Sequence, residues 1–198
     1  KLGVGYNYQF QKTGNFLIWE SAEQGFVPSG GADTSDIAST LTYNTGHRLY
    51  IDPYVKYIDK HNNKHTLKTR VYYAGNDNIT NPSQSNGAVI NFSEYQYQKQ
   101  FSNDITLTSG ISNIYNVVFS ELFGDHTSNN VAAYGQFEQT FGKLDLSAGI
   151  RLEHFQMDGQ TGDSDYYFGE DSAFSIPIYP VLRTGFHIEI TPYTHLRG

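Results

Sequence analysis

The chain has 198 residues, no Cys, 17% charged and 15% aromatic residues, a net charge of -7 and a mean hydropathy of -0.50. This length suits one domain. The absence of Cys rules out disulfides, thiol chemistry and Cys-based metal sites, no run reaches the ~18 apolar residues of a transmembrane helix, the aromatics exclude a disordered chain, and the acidic balance argues against nucleic acid as a partner.

Apolar and polar residues alternate with period two along most of the chain, the signal of a half-covered strand. The first predicted strand, 1–12, sets Leu2, Val4, Tyr6, Tyr8 and Phe10 against Gly3, Gly5, Asn7, Gln9 and Gln11. A tight turn at Gly14-Asn15 is predicted to lead into a second strand, 15–24. Strand 42–60 alternates Leu49, Ile51, Pro53, Val55 and Tyr57 with Arg48, Tyr50, Asp52, Tyr54 and Lys56, and Asn62-Asn63 turns it into strand 64–76. Segment 88–101 is the weakest, because Ile90 and Phe92 fall out of phase with Tyr95 and Tyr97. Ser102-Asn103 then leads to strand 104–116. Strand 129–141 places Val131, Ala133 and Phe137 on one side, and Gly142 turns it into strand 143–156, with Leu144, Leu146, Ala148, Ile150 and Leu152. Strand 177–190 alternates Leu182, Thr184, Phe186, Ile188 and Ile190 with Arg183, Gly185, His187 and Glu189, and Thr191-Pro192 opens strand 193–198. The reading is all-β, an antiparallel up-and-down meander of about ten strands, with no helix.

Short turns alternate with four long polar stretches, 20–46, 75–87, 113–128 and 157–176, and all 13 Lys and Arg lie outside those stretches. Lys12, Lys60, Lys64, Lys99 and Lys143 stand beside the predicted short turns. A sheet in hydrocarbon must close on itself to pair every backbone group, its strands need about 9–11 residues, and short turns at one end with long loops at the other are its usual form. Tyr8, Phe10, Phe16, Tyr57, Tyr97, Phe101, Phe141 and Tyr193 are placed as an interfacial girdle. A soluble β-rich sandwich or binding module shares the alternation but not the asymmetry of its ends.

The segments GKLDLSAGIRLEH (142–154), VAAYGQFEQ (131–139) and PVLRTGFHIEITPYTHLRG (180–198) together resemble successive strands of TonB-dependent outer-membrane receptors. The resemblance implies outer-membrane transport in a Gram-negative bacterium. Its implied partners are outer-membrane lipid, a plug domain, the energy-transducing TonB protein and a small nutrient ligand: an iron chelate, a corrinoid or a glycan. Such receptors have about 22 strands. Residues 1–198 are therefore expected to be a single segment of a larger barrel, without the plug, whose first and last strands stand apart in an open sheet. A self-standing ten-stranded porin-like barrel is the alternative.

Strand phase assigns Arg48, Asp52, Lys56, Lys68, Arg70, Glu138, Asp145, Arg151, Glu153, Arg183, His187 and Glu189 to the lumen. Mixed charge of this density suits a wet interior. In the loop 163–171, Tyr166, Tyr167 and Phe168 offer exposed aromatic area for a ligand, flanked by Asp163 and Asp165; the spacing of its carboxylates departs from that of an EF-hand loop. Trp19 is placed as an interfacial anchor. No HExxH, GxSxG or dinucleotide fingerprint occurs, so no catalytic residue, metal site or cofactor is assigned. Asp125-His126 is the nearest approach to the Asp and His of a barrel protease.

Overall fold

The computed structural model describes residues 1–31, 39–102, 104–158 and 174–198. Its strands are β1 (Leu2–Asn15), β2 (Trp19–Ser21), β3 (Gly25–Pro28), β4 (Thr42–Ile58), β5 (Lys64–Asn78), β6 (Asn86–Ser102), β7 (Ile105–Ser120), β8 (His126–Phe141), β9 (Leu144–Met157), β10 (Phe174–Thr191) and β11 (Thr194–Arg197), with a 3-10 turn at Pro82–Gln84. Nine form one antiparallel sheet in the order β1-β4-β5-β6-β7-β8-β9-β10-β11, and β2 pairs only with β3. The sheet is open, with β1 and β11 as its two edges.

Two expectations are corrected here. Gly14-Asn15 is not a turn: β1 continues through it, pairing Gly14 with Tyr43 and Asn15 with Thr42. The predicted second strand, 15–24, accordingly does not join the sheet; within the connection from β1 to β4, Trp19–Ser21 folds back on Gly25–Pro28 instead. Lys12, with Asn44 and Tyr43 nearby, therefore sits at the long-loop end and not beside a short turn, its Nζ 5.0 Å from the Tyr43 ring centroid.

The asymmetry of the two ends also narrows. Strands run on into the stretches read as loops, so that the connection 121–125 is no longer than the turn 59–63. Asn, Ser and Thr in those stretches complete ladder hydrogen bonds, as in the pairs Asn76↔Asn86, Asn86↔Ser120 and Asn116↔Ser128. Left-handed backbone closes the other end, at Asn62 (φ 62°) and Gly142 (φ 62°), two residue types that tolerate it.

Directly opposed residues share a face, and the register sorts the sheet into two. On one face lie Leu67, Tyr95, Ile111, Ala133 and Leu152, mutually opposed from β5 to β9. Ile150 faces Leu182, and Leu146 faces Phe186, on that same side. These side chains point to no core: Leu182 is 75% exposed and Leu2 77%, while among the described residues the buried apolar ones are Leu41 and Ala132. Apolar side chains spread over an outer surface reverse the arrangement of a soluble sandwich.

Toward the long-loop end the two faces become more alike. The apolar face gains polar residues there, Ser93, Asn113 and His154 beside Val131 and, one row further, Asn91, Asn129 and Gln156 beside Val71 and Tyr115. The opposite face gains Phe92, Ile114, Phe155 and Ile176, joined to Arg70 and Asn130 in one row. This explains the weak alternation of β6: Ile90 and Phe92 belong to one face, Tyr95 and Tyr97 to the other.

Candidate functional site

The predicted lumen-facing residues Arg48, Asp52, Lys56, Lys68, Arg70, Glu138, Asp145, Arg151, Glu153, Arg183, His187 and Glu189 all fall on one face of the sheet, opposite Leu146, Ile150, Leu182 and Phe186. The structure joins several of them into a lateral network. Lys68 on β5 stands 3.7 Å from Glu94 on β6. Glu94 accepts a hydrogen bond from the Tyr134 hydroxyl on β8 at 2.9 Å. The Arg151 guanidinium lies 5.8 Å from the Tyr134 ring centroid, donates to Ser112 Oγ at 3.1 Å and pairs with Glu153. Tyr179 on β10 donates to the second oxygen of Glu153 at 2.7 Å. Charges on this row are therefore held by hydroxyls from strands on either side, which stabilises ions that would otherwise be poorly compensated.

Nearer the long-loop end, Arg70 grips Asp52 through Nε and Nη2 at 2.7 and 2.5 Å and lies 5.0 Å from the Tyr50 ring centroid. Nearer the short turns, Asp145 accepts from the Thr140 hydroxyl at 2.7 Å and meets His187 Nδ1 at 2.9 Å, and His187 stacks on His195 with ring centroids 5.2 Å apart. Glu138 accepts from Gln136 at 2.6 Å. Arg48 is exposed and lines a hollow of about 380 Å³ with Asn76, Asn86 and His126. The ligand candidates Asp163, Asp165, Tyr166, Tyr167 and Phe168 lie outside the described residues.

Asp125 and His126 make contacts of their own. Asp125 accepts the Ser120 N–H at 3.1 Å, while His126 Nε2 is 3.2 Å from the Phe123 carbonyl oxygen and its Nδ1 is 3.5 Å from Asp158. Burial acts to raise the Asp158 carboxyl, but the Thr127 hydroxyl and N–H, both at 2.7 Å, together with His126, hold it below its ordinary value. At the other end, Asp59 organises the 59–63 turn. Its carboxylate accepts the Asn63 side-chain amide at 2.8 Å and the backbone N–H groups of His61 and Asn63 at 2.8 and 2.9 Å, which lowers its carboxyl to about 2.

Tyr134, Tyr179, Tyr50 and Ser112 escape a sequence reading that collects charges by strand phase, and Glu94 escapes it because the phase of segment 88–101 is the least clear. Phase alone puts the first four on the same face; their partnership depends on which residues stand opposite, and hence on register. Trp19 packs edge-on against Phe26 at 5.9 Å in the β2–β3 ribbon, outside the main sheet.

A family profile described as "TonB dependent receptor-like, beta-barrel" matches residues 1–177. No curated protein and no solved structure matches the chain.

Proposed function

The chain belongs to the TonB dependent receptor-like β-barrel family, and on that premise we propose that residues 1–198 form one stretch of the wall and outer loops of a receptor importing a scarce nutrient across the outer membrane of a Gram-negative bacterium. The observation that carries this reading is the division of the sheet into an exposed apolar face and a face of networked charge. The apolar face suits hydrocarbon, where each Leu or Ile escapes water at a gain of about 1.5–3 kcal/mol. The charged face suits a wet or plugged lumen.

In this reading the partners are outer-membrane lipid on one side, a plug domain on the other, and the TonB protein as the source of energy for plug movement. The nutrient is an iron chelate, a corrinoid or a glycan. A self-standing ten-stranded barrel finds no support in a nine-stranded sheet whose edges are β1 and β11.

Uptake of labelled iron chelates, cyanocobalamin and oligosaccharides, measured in the native host with and without this gene and with and without a functional TonB protein, tests the proposal. One of these solutes should depend on both genes, and the protein should fractionate with the outer membrane. Uptake of all three classes that is indifferent to either deletion, or recovery of the protein in the soluble fraction, would refute it.

A further inference from the structure

The β4–β5 hairpin carries Arg48, Lys56, Lys64, Lys68 and Arg70 on the charged face, and the sole acidic residue of those two strands on that face is Asp52. Three of these cations border a cleft of about 520 Å³ that also includes Asp52, Tyr54 and Phe92, within the usual size range of small-ligand sites. They are neutralised unequally. Arg70 is committed to Asp52 by two short hydrogen bonds. Lys68 approaches Glu94 only to 3.7 Å, beyond hydrogen-bond range, and its side chain is 51% exposed. Lys56 has no carboxylate partner among the described residues; its Nζ is 5.9 Å from the Tyr54 ring centroid.

Tyr54 faces Lys68 in the β4–β5 register and Lys56 faces Thr66, so the two ammonium groups project from diagonal positions on adjacent strands. That separation lets both reach one small anion. Immediately toward the long-loop end begins the apolar band, where Phe92 faces Arg70 on one side and Ile114 on the other. Aromatic and branched side chains on an otherwise charged wall leave apolar area in contact with water unless something covers it.

We propose that Lys56 and Lys68 form a recognition site for a carboxylate whose apolar body lies along Phe92 and Ile114. The occupant is a solute in the lumen, because an Asp or Glu side chain carries no apolar body to lie along the band. A neutral or cationic solute would leave Lys56 uncompensated, and a purely polar anion would leave the band uncovered. The site rests on the charged face lining a lumen; it is independent of which nutrient is carried.

The test uses the full-length receptor in detergent, with a trifluoromethyl-substituted benzoate followed by fluorine NMR and the matching benzamide as the uncharged comparison. Binding of the benzoate in preference to the benzamide, weakened about tenfold by Lys56→Gln or Lys68→Gln and unchanged by Lys64→Gln on the same face, supports the site with a solute as its source. Failure of the benzoate to bind overturns it, and carbodiimide coupling of Lys56 or Lys68 to an acidic residue outside β4–β6 would show that the chain itself occupies the two lysines. Equal binding of the benzamide, or affinity unchanged from the unaltered receptor in both the Lys56 and Lys68 variants, overturns it as well. A receptor that imports its nutrient in a TonB-dependent way and still fails this test would sink the site while leaving the transport reading intact.

Discussion

At the scale of single residues, a few polar side chains do more than their charge suggests. Asp59 holds the 59–63 turn closed by accepting three hydrogen bonds, the strongest lowering of its carboxyl coming from the Asn63 amide. Because the folded-state value is depressed, the stabilisation from this carboxylate is complete above its ordinary value of 3.8 and is lost as pH falls toward about 2. The carboxyl carbon shift of Asp59, followed by NMR, should titrate near the lower value and move toward the upper one in Asn63→Ala; an ordinary midpoint in the unaltered protein would contradict the turn geometry. Tyr134 is the hinge of the lateral network, one hydroxyl serving Glu94 and one ring face serving Arg151. Tyr134→Phe removes the hydrogen bond and keeps the ring, so it should cost about 1 kcal/mol in denaturant unfolding. Tyr134→Ala should cost clearly more, and equal losses would mean the hydroxyl contributes nothing. The charged members of this network other than Glu94 could be read from the sequence by phase; Glu94 lies on β6, where the alternation is weakest, and the tyrosines could not be read because a Tyr on a strand reads equally well as an interfacial anchor.

At the scale of strands, alternation located most of the elements and misjudged their ends. β4, β5, β9 and β10 were legible because most of their Leu, Ile and Val share one phase, with Ile58 and Val181 on the charged face. β1 was cut short because Gly14-Asn15 has the composition of a turn, and only the pairing with Tyr43 and Thr42 shows it extended. Segment 88–101 looked weak because its apolar residues change sides partway along, a pattern that a single period-two template penalises although the strand is regular. The facing itself yields a prediction. Leu146 and Ile150 belong to the apolar surface and Ser147 to the charged one, and Arg facing hydrocarbon at the midplane costs about 2–4 kcal/mol. Leu146→Arg and Ile150→Arg should therefore reduce folding into lipid vesicles far more than Ser147→Arg, measured by heat-modifiable gel mobility. Equal effects would show that the apolar face does not meet lipid.

At the scale of the whole molecule, the meander gathers four connections at each end of the sheet; three of the four at one end carry carboxylates, and three of the four at the other have a Lys in or near them. If the acidic end faces the medium, a Cys at Ser83 in the full-length receptor should react with an impermeant maleimide on intact cells, and a Cys at Asn62 should react only after the outer membrane is opened. The reverse pattern would invert the assignment. The length of the strands adds something further. β6 has 17 residues and β7 has 16, whereas about 9–11 cross the hydrocarbon. The surplus lies toward the long-loop end, where Asn and Ser interrupt the Val and Tyr of the outer face. In hydrocarbon a broken ladder bond finds no water to replace it; above the bilayer the same ladder stands in water and opens at the lower free energies typical of exposed segments. One continuous strand thus has two stiffnesses, a lower stave clamped by the bilayer and an upper stave free to splay. In the proposed membrane setting, the connections at the long-loop end are therefore carried on the more compliant part of the wall.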